Sequence, residues 1–391
     1  MRRFEGVDFV ESDLLLTEEE KLMRDTARKF VEDKVKPIIE EYHRGHRFPI
    51  HLVKEMGTLG FLGSNLKGYD FLPGISNVGY GLIMQELERG DSALRSFASV
   101  QGALVMYPIL TFGSEEQKSK WLPLLASGEK IGCFGLTEPD FGSNPAGMKT
   151  TAKKVGSHYI LNGSKMWITN GSIADIAVVF AKLEDGNIGG FIVERGMEGF
   201  KQVEIKNKFS LRASDTGILY FEDCKVPLEN KLPGTKGLKS ALMCLTQARY
   251  GIGWGVLGPA MECFHIALEY SKERIQFAGK PIASHQLVQE KLVYMLSEIT
   301  KAQLLSIQVG RLKDEGKAHF SHISLLKKNN VKIAREIAKL SREILGASGI
   351  VDDYPVIRHM LNLESVFTYE GTDEIHTLII GHRITDIPAY Y

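Results

Sequence analysis

Apolar positions recur at helical spacing through the first 130 residues. In LTEEEKLMRDTARKFVEDKVKPIIEEYH, the residues Leu22, Ala27, Phe30, Val31 and Val35 trace one helical stripe. Thr17 and Glu20 stand before it at capping-box spacing, which predicts a helix start. Pro37 predicts a kink or the beginning of a second segment. Amphipathic stretches at 78–89, 93–112 and 115–126 predict further helices, and Gly57, Gly60, Gly63 and Gly68 mark loops. Near Ile131 the period changes. HYILNGSKMWIT, IADIAVVFAKL, GGFIVER and GILYFEDCKVP set Val, Ile, Tyr and Phe between Gly, Asn and Asp punctuation, which predicts strands. No long helical pattern interleaves them, so an antiparallel or barrel-like sheet is expected rather than a parallel doubly wound one. From about residue 236 the helical period returns over 238–272, 285–315, 321–346 and 371–386, lengths that suit an up-and-down bundle. The expected architecture is α+β: a helical domain over 1–130, a β domain over 131–235 and a helical bundle domain over 236–391.

Length and charge narrow this picture. A chain of 391 residues exceeds the usual single domain, in keeping with three blocks. Lys plus Arg equals Asp plus Glu, 48 against 48, so no global field draws nucleic acid or an anionic membrane, while a local basic cleft stays open. Cys133, Cys224, Cys244 and Cys263 are far apart and form no CxxC pair. A disulfide framework or zinc site is not expected, and a reducing compartment fits. The opening MRRFEGVDFVESD has two arginines but no apolar run, so it does not read as a signal or transit peptide. No apolar run reaches the roughly 18 residues of a spanning helix.

Each candidate site has a plain structural alternative. GWGVLG at 253–258 matches GxGxxG, but a helical pattern precedes it where a nucleotide site needs a strand. Small residues for close helix packing explain it better. His43, His46 and His51 cluster in YHRGHRFPIH, which reads as a solvated surface loop before it reads as a metal site. In ELERGDSALRS, Glu88, Ser92, Arg95 and Ser99 share one side of a continuous helix. An exposed ion-paired face is the favoured explanation from spacing alone, although Arg is built to hold a carboxylate bidentately. CFGLTEPDFGSN and MWITNG each place polar groups at a strand end, where Thr137, Ser143, Trp167 and Thr169 could receive a flat, polar ligand. In TYEGTDEIH, Glu370 precedes Gly371 at a helix start. It is either an acid favoured by the helix dipole or a base set beside a glycine that lets a ligand approach. Residue type leaves those two readings equal.

FGLTEPDFGSN, NGSKMWITNG, RIQFAGKPI and TYEGTDEIH occur here in the order and spacing of the acyl-CoA dehydrogenase family of flavoproteins, which the chain resembles over nearly its whole length. YGLIMQELERGDSALRS, KFSLRAS, ARYGIGWGVLG, SLLKKNN and VIRHMLNLESVFTYEGTDEIHTLIIGHRIT are similar to the branch that oxidises and decarboxylates glutaryl-CoA. The resemblance implies a helical N-terminal domain, a middle β domain and a C-terminal four-helix bundle, with FAD as cofactor in a homotetramer. It implies Glu370 as the base that removes the α-proton while the flavin accepts a hydride. Phe134, Leu136, Thr137, Ser143, Trp167, Ile168 and Thr169 match flavin-lining positions, with Ser143 also touching the acyl-CoA. Arg274, Phe277 and Gln286 match positions that reach FAD, typically that of a neighbouring subunit. Leu345, Gly346, Gly349, Thr372 and Glu374 match further FAD contacts, and Arg249 and Gly371 lie beside the base and the acyl chain. Arg95, Ser96 and Ser99 match the pocket end that takes the distal carboxylate. Glu88 and Tyr369 match polar residues of the decarboxylating branch.

Three departures stand out. Leu94 replaces a frequent Tyr, LGASG replaces LGGNG, and RIQFAGKP carries one extra residue between Phe277 and Pro281. No metal is implied. The partners implied are an acyl-CoA and an electron-transferring flavoprotein, in the cytoplasm or, for a processed eukaryotic form, the mitochondrial matrix. The competing expectations are a dehydrogenase for another acyl-CoA, an oxidase passing electrons to oxygen, and a flavin-free scaffold.

Overall fold

The computed structural model describes residues 3–389. Its first long helix, Glu18–Phe30, starts as the sequence predicts. Thr17 Oγ1 accepts the Glu20 amide at 3.2 Å and Glu20 Oε2 accepts the Thr17 amide at 2.9 Å. The helix widens to a π turn over Val31–Val35, Pro37 falls in the turn that follows, and Ile39–Arg44 resumes.

The Asn77–Gly90 helix is not amphipathic. Every residue from Val78 to Gly90 is buried, because the first helix, Ser92–Ser99, Leu238–Gly255, Leu257–Glu273 and Gln286–Asp314 all pack on it. Glycines allow that approach. A Cβ on Gly255 would sit 2.1 Å from Glu88 Oε2, and one on Gly258 would sit 2.0 Å from the Gln85 carbonyl oxygen. GWGVLG is therefore a helix-packing surface, since it runs from the end of one helix into the start of the next.

The middle of the chain forms a curled seven-stranded sheet. The strands are β1 (Gly132–Gly135), β2 (Thr151–Val155), β3 (His158–Thr169), β4 (Ile176–Leu183), β5 (Ile188–Glu194), β6 (Phe200–Glu204) and β7 (Thr216–Pro227). The order is β1-β4-β2-β3-β7-β6, with β5 on the other side of β4. Most pairings are antiparallel, as expected. Two are parallel, β1 with β4 and β2 with β4, and the strand pattern alone did not reveal them. Parallel neighbours need a long connection between them. Here the segment from Leu136 to Asp175, carrying β2 and β3, supplies it.

The C-terminal helical domain contains Leu238–Gly255 and Leu257–Glu273, which the periodic pattern did not separate, Gln286–Asp314, Phe320–Leu345 and Asp373–Thr385, plus Val356–Thr368, which the pattern did not include. Val356–Thr368 is fixed from two directions. Arg358 donates to the Gly90 carbonyl at 2.9 Å and to the Asp91 carboxylate, and Asn362 Nδ2 donates to the same carboxylate at 2.9 Å. From the β domain, the Leu211 amide donates to Asn362 Oδ1 at 2.9 Å and Ser365 Oγ meets Ser210 Oγ at 2.6 Å. Among the described residues no helix is long and apolar enough to cross a membrane.

The packing account of GWGVLG has a direct test. Gly258→Ala should lower stability by about 1–3 kcal/mol, the usual cost of forcing a methyl into a filled core. The midpoint of denaturant unfolding reads it, and an unchanged midpoint would contradict the close approach.

Candidate active site

The Val356–Thr368 helix ends by delivering Tyr369 and Glu370. Glu370 takes a left-handed backbone at φ 53°, and Gly371 follows at φ 97°. That conformation is unfavourable for a side chain other than Gly, Asn or Asp, so surrounding contacts must impose it. Thr372, not Glu370, caps the next helix, its Oγ1 accepting the Ile375 amide at 3.3 Å. Asp373 and Glu374 occupy the acidic first turn. Glu370 thus lies two residues ahead of the cap and is not the helix-start acid. Gly371 is needed for space as well as for φ, because a Cβ there would lie 3.0 Å from His376 Nε2 and 3.1 Å from Arg249 Nη2.

Three successive carbonyls at this turn accept from basic side chains. Lys327 Nζ donates to the Tyr369 oxygen at 2.6 Å and to the Gly371 oxygen at 2.5 Å. Arg249 Nε donates to the Glu370 oxygen at 2.6 Å. The Glu370 Oε2 gets no such partner: it is buried without a hydrogen bond among the described residues. Burial pushes this carboxyl above the ordinary range, opposed by the charges of Arg95, Lys327 and Arg249. His376 is buried beside them, and burial together with Lys327 and Arg249 holds its ring down at about 2, hence neutral.

Arg95 completes the cluster. Its Nε donates to Glu88 Oε2 at 2.6 Å, its Nη2 to Glu88 Oε1 at 3.2 Å, and Nη2 also meets the Tyr369 hydroxyl. Glu88 and Arg95 do not share one exposed helix face. Asp91, in extended backbone, ends Asn77–Gly90 and caps Ser92–Ser99 through the Ala93 amide at 2.8 Å, and both members of the pair are 0% exposed. Although burial works against its charge, the Glu88 carboxylate and the Tyr369 oxygen push the Arg95 guanidinium up and keep it cationic. Ser96 and Ser99 are buried on the same short helix, as is Leu94.

The β-domain residues form a second group. Phe134 and Leu136 are buried at the exit of β1, and the Thr137 carbonyl accepts the Met166 amide at 2.9 Å. A register shift in β3 between Lys165 and Ile168 turns Trp167 outward, at φ 63° and 57% exposed, between buried Lys165 and buried Ile168. Thr169 is half-buried and Ser143 is exposed. This bulge lies over a buried ion pair that sequence reading missed, Lys165 Nζ to Glu138 Oε1 at 2.8 Å. Glu138 also accepts the Lys149 and Thr150 amides at 2.6 and 2.9 Å, pinning both ends of the loop. These bonds overcome burial and hold its carboxyl down at about 2.

A flat, polar cofactor fits this edge. An exposed indole is held off the sheet by backbone geometry, and space is open over Gly142. Other expected cofactor residues lie elsewhere on this chain. Arg274 and Gln286 are exposed, and Phe277 is 80% exposed beside a two-stranded hairpin. The added residue there is absorbed by three left-handed positions, Phe277, Ala278 and Gly279. Leu345 points into the bundle core, so only its backbone is available, while Gly346 ends the helix at φ 58° and Gly349 packs 2.5 Å from the Arg342 carbonyl oxygen by its ideal Cβ. Lys327 was missed as a site residue, although the quoted SLLKKNN contains it. Spacing cannot tell a lysine aimed at backbone carbonyls from one on a solvated face. The histidine stretch also departs from expectation: His43 is buried, and His46 contacts Arg212.

A helical domain, a curled sheet and a helical bundle, with a half-buried glutamate at a strained turn between two helices of the last, are the layout of a known class of flavoenzyme. Family models for the N-terminal, middle and C-terminal domains of acyl-CoA dehydrogenases match residues 17–129, 133–224 and 235–385. The chain belongs to the acyl-CoA dehydrogenase family. It is similar to a glutaryl-CoA dehydrogenase from Mycobacterium smegmatis solved in complex with FADH2, with 47% identity over 100% of both chains and a TM-score of 0.97. A second structure of glutaryl-CoA dehydrogenase from that organism is 50% identical over 97% of this chain and 99% of the other, with a TM-score of 0.95. The human mitochondrial short-chain specific acyl-CoA dehydrogenase is 36% identical over 94% of this chain and 91% of its own length.

Glu138 gives a pH prediction. Its folded-state value lies below the unfolded one, so it stabilises the fold above an unfolded value near 4.5 and loses that contribution as pH falls toward about 2. Glu138→Gln should therefore flatten the fall in Tm of the native protein between about pH 5 and pH 3. Parallel wild-type and variant curves across that window would remove the assignment.

Proposed function

We propose that this chain oxidises and decarboxylates glutaryl-CoA to crotonyl-CoA and carbon dioxide, with Glu370 as base and FAD as cofactor. The observation that carries the reading is the buried Glu88–Arg95 pair in contact with half-buried Tyr369, which is joined directly in sequence to a half-buried glutamate whose Oε2 is buried and unpartnered among the described residues. A guanidinium at that depth is matched to a carboxylate at the far end of a short acyl chain. The likeness to two glutaryl-CoA dehydrogenase structures supports it.

Glu370 takes the α-proton. Desolvation makes the carboxylate a stronger base, while Arg249 and Lys327 keep it from being neutralised outright. The Glu370 amide donates to the thioester oxygen as negative charge develops there. FAD, when bound, supplies the acceptor for the hydride from the β-carbon. Once the α,β-bond is unsaturated, the bond to the distal carboxylate breaks, carbon dioxide leaves, and its electron pair moves into the thioester. Protonated Glu370 returns a proton to the γ-carbon.

Arg95 serves two ends. It selects a dicarboxylic chain by setting a fixed positive charge at the far end of the acyl pocket, where an apolar chain end would find no match. It must also release that carboxylate, and Glu88 and Tyr369 share its charge so that the grip is not complete. Phe134, Leu136, Thr137, Ser143, Trp167 and Thr169 would hold the cofactor's ring end. Arg274, Phe277 and Gln286 would reach the cofactor of a neighbour in a homotetramer. An electron-transferring flavoprotein would take the electrons away.

A second reading is oxidation of a short acyl-CoA without decarboxylation. It is favoured by the commitment of Arg95 Nε and Nη2 to partners within the chain and by the likeness to the short-chain enzyme.

One assay separates them. The flavin-loaded protein is given glutaryl-CoA and an artificial electron acceptor while carbon dioxide is trapped. Crotonyl-CoA with carbon dioxide is expected. Glutaconyl-CoA alone, or equal turnover of butyryl-CoA, would overturn the proposal. Glu370→Gln should lower turnover by at least about 100-fold. Arg95→Ala should lower kcat/KM for glutaryl-CoA by on the order of 30-fold or more, the cost of truncating a buried charge pair.

A further inference from the structure

The geometry points to Lys327 as a positioning residue that orients and polarises the peptide carrying the Glu370 amide, and so tunes charge stabilisation at the substrate's thioester oxygen. This rests on the proposed role of that amide. Lys327 is buried within Phe320–Leu345, and its Nζ donates to both the Tyr369 and Gly371 oxygens, at 2.6 and 2.5 Å; burial lowers its amine to about 7, opposed by the Glu370 carboxylate. The Tyr369 carbonyl and the Glu370 N–H belong to one trans peptide, so they point in opposite directions. A strong donor on the oxygen, most of all when protonated, withdraws electron density through the amide and makes the N–H a stronger donor on the other side. The second bond, to Gly371, closes a clamp across Glu370. Together with Arg249 on the Glu370 oxygen, it holds the left-handed turn.

The helix that carries Lys327 is rigidly placed. Leu326 fills the space that a Cβ on Gly253 would occupy, at 2.6 Å. Asn330 Nδ2, nearly one turn on, donates to the Gly253 carbonyl at 2.8 Å. The adjacent Lys328 is directed elsewhere, to Asp373. Two neighbouring lysines therefore have separate tasks: one pairs with a carboxylate, the other with backbone.

The test reads the substrate's bond rather than turnover alone. Isotope-edited infrared spectra of crotonyl-CoA bound to the flavin-loaded protein report polarisation of its thioester carbonyl. In the native protein and in Lys328→Met the carbonyl stretch should move to lower frequency than in free crotonyl-CoA. In Lys327→Met it should return toward the free position, and kcat should fall by on the order of 10- to 100-fold with flavin content retained. If Lys327→Met does not fold, Lys327→Gln, which keeps a neutral donor, should give an intermediate shift. A carbonyl stretch unchanged in a flavin-loaded Lys327 variant would overturn the inference. Glu370→Gln separates it from the base assignment: the amide remains, so the shift should persist while turnover is lost.

Discussion

Charges buried on the Asn77–Gly90 helix constrain everything around it. An unpaired charge in the interior costs several kcal/mol, so each must find its partner at short range. Glu86 is met by Arg89 and Arg28, and Arg89 also by Glu32 and Glu262, at distances from 2.7 to 3.0 Å. Glu88 is met by Arg95. These partners come from the first helices, the following short helix and the C-terminal domain. Satisfying them sets the helices in one register, and the glycines of GWGVLG permit the contact distance. The Glu88–Arg95 pair, which starts from the same helix, is also the one that reaches Tyr369. The group proposed to meet the substrate's far end is in that sense an extension of the core's own charge pairing.

Backbone held against its preference recurs at the site. Trp167 and Glu370 both sit at positive φ without being glycine, one on a bulged strand and the other between two helices. In each case a buried lysine acts on the neighbouring backbone: Lys165 bonds the Leu136 carbonyl at 3.1 Å, and Lys327 bonds the carbonyls flanking Glu370. A lysine with no solvent around it is a strong donor that cannot be traded for water. It holds a strained turn well, and its loss is felt at the turn rather than at its own position.

The sequence made the order of helix, strand and helix legible because each block has its own period. Thr17 and Glu20 carried the capping box, and the alternation of HYILNGSKMWIT spans all of β3. The parallel pairings of β1 and β2 with β4 were not legible, since strand direction depends on connections and not on alternation. The buried state of Asn77–Gly90 was missed because Glu86, Glu88 and Arg89 make it look half-solvated. Only the partners reveal that those charges are interior. Glu370 could not be assigned from its neighbours in sequence. The turn that makes it a candidate base is imposed by Arg249 and Lys327, 121 residues and 43 residues away from it in sequence.

The Val356–Thr368 helix is bonded to the N-terminal domain through Arg358 and Asn362 and to the β domain through Asn362 and Ser365. It is the last structured segment before Glu370. Three domains that are distinct in sequence therefore act as one tripod for a single carboxylate. No fragment lacking one leg would present that carboxylate in the same pose, so the chain cannot be divided into a working catalytic half and a dispensable remainder. A deletion that removes Gly90–Asp91 or Ser210–Leu211 would take away bonds that hold the helix leading to Glu370, and is in mechanical terms a change at Glu370.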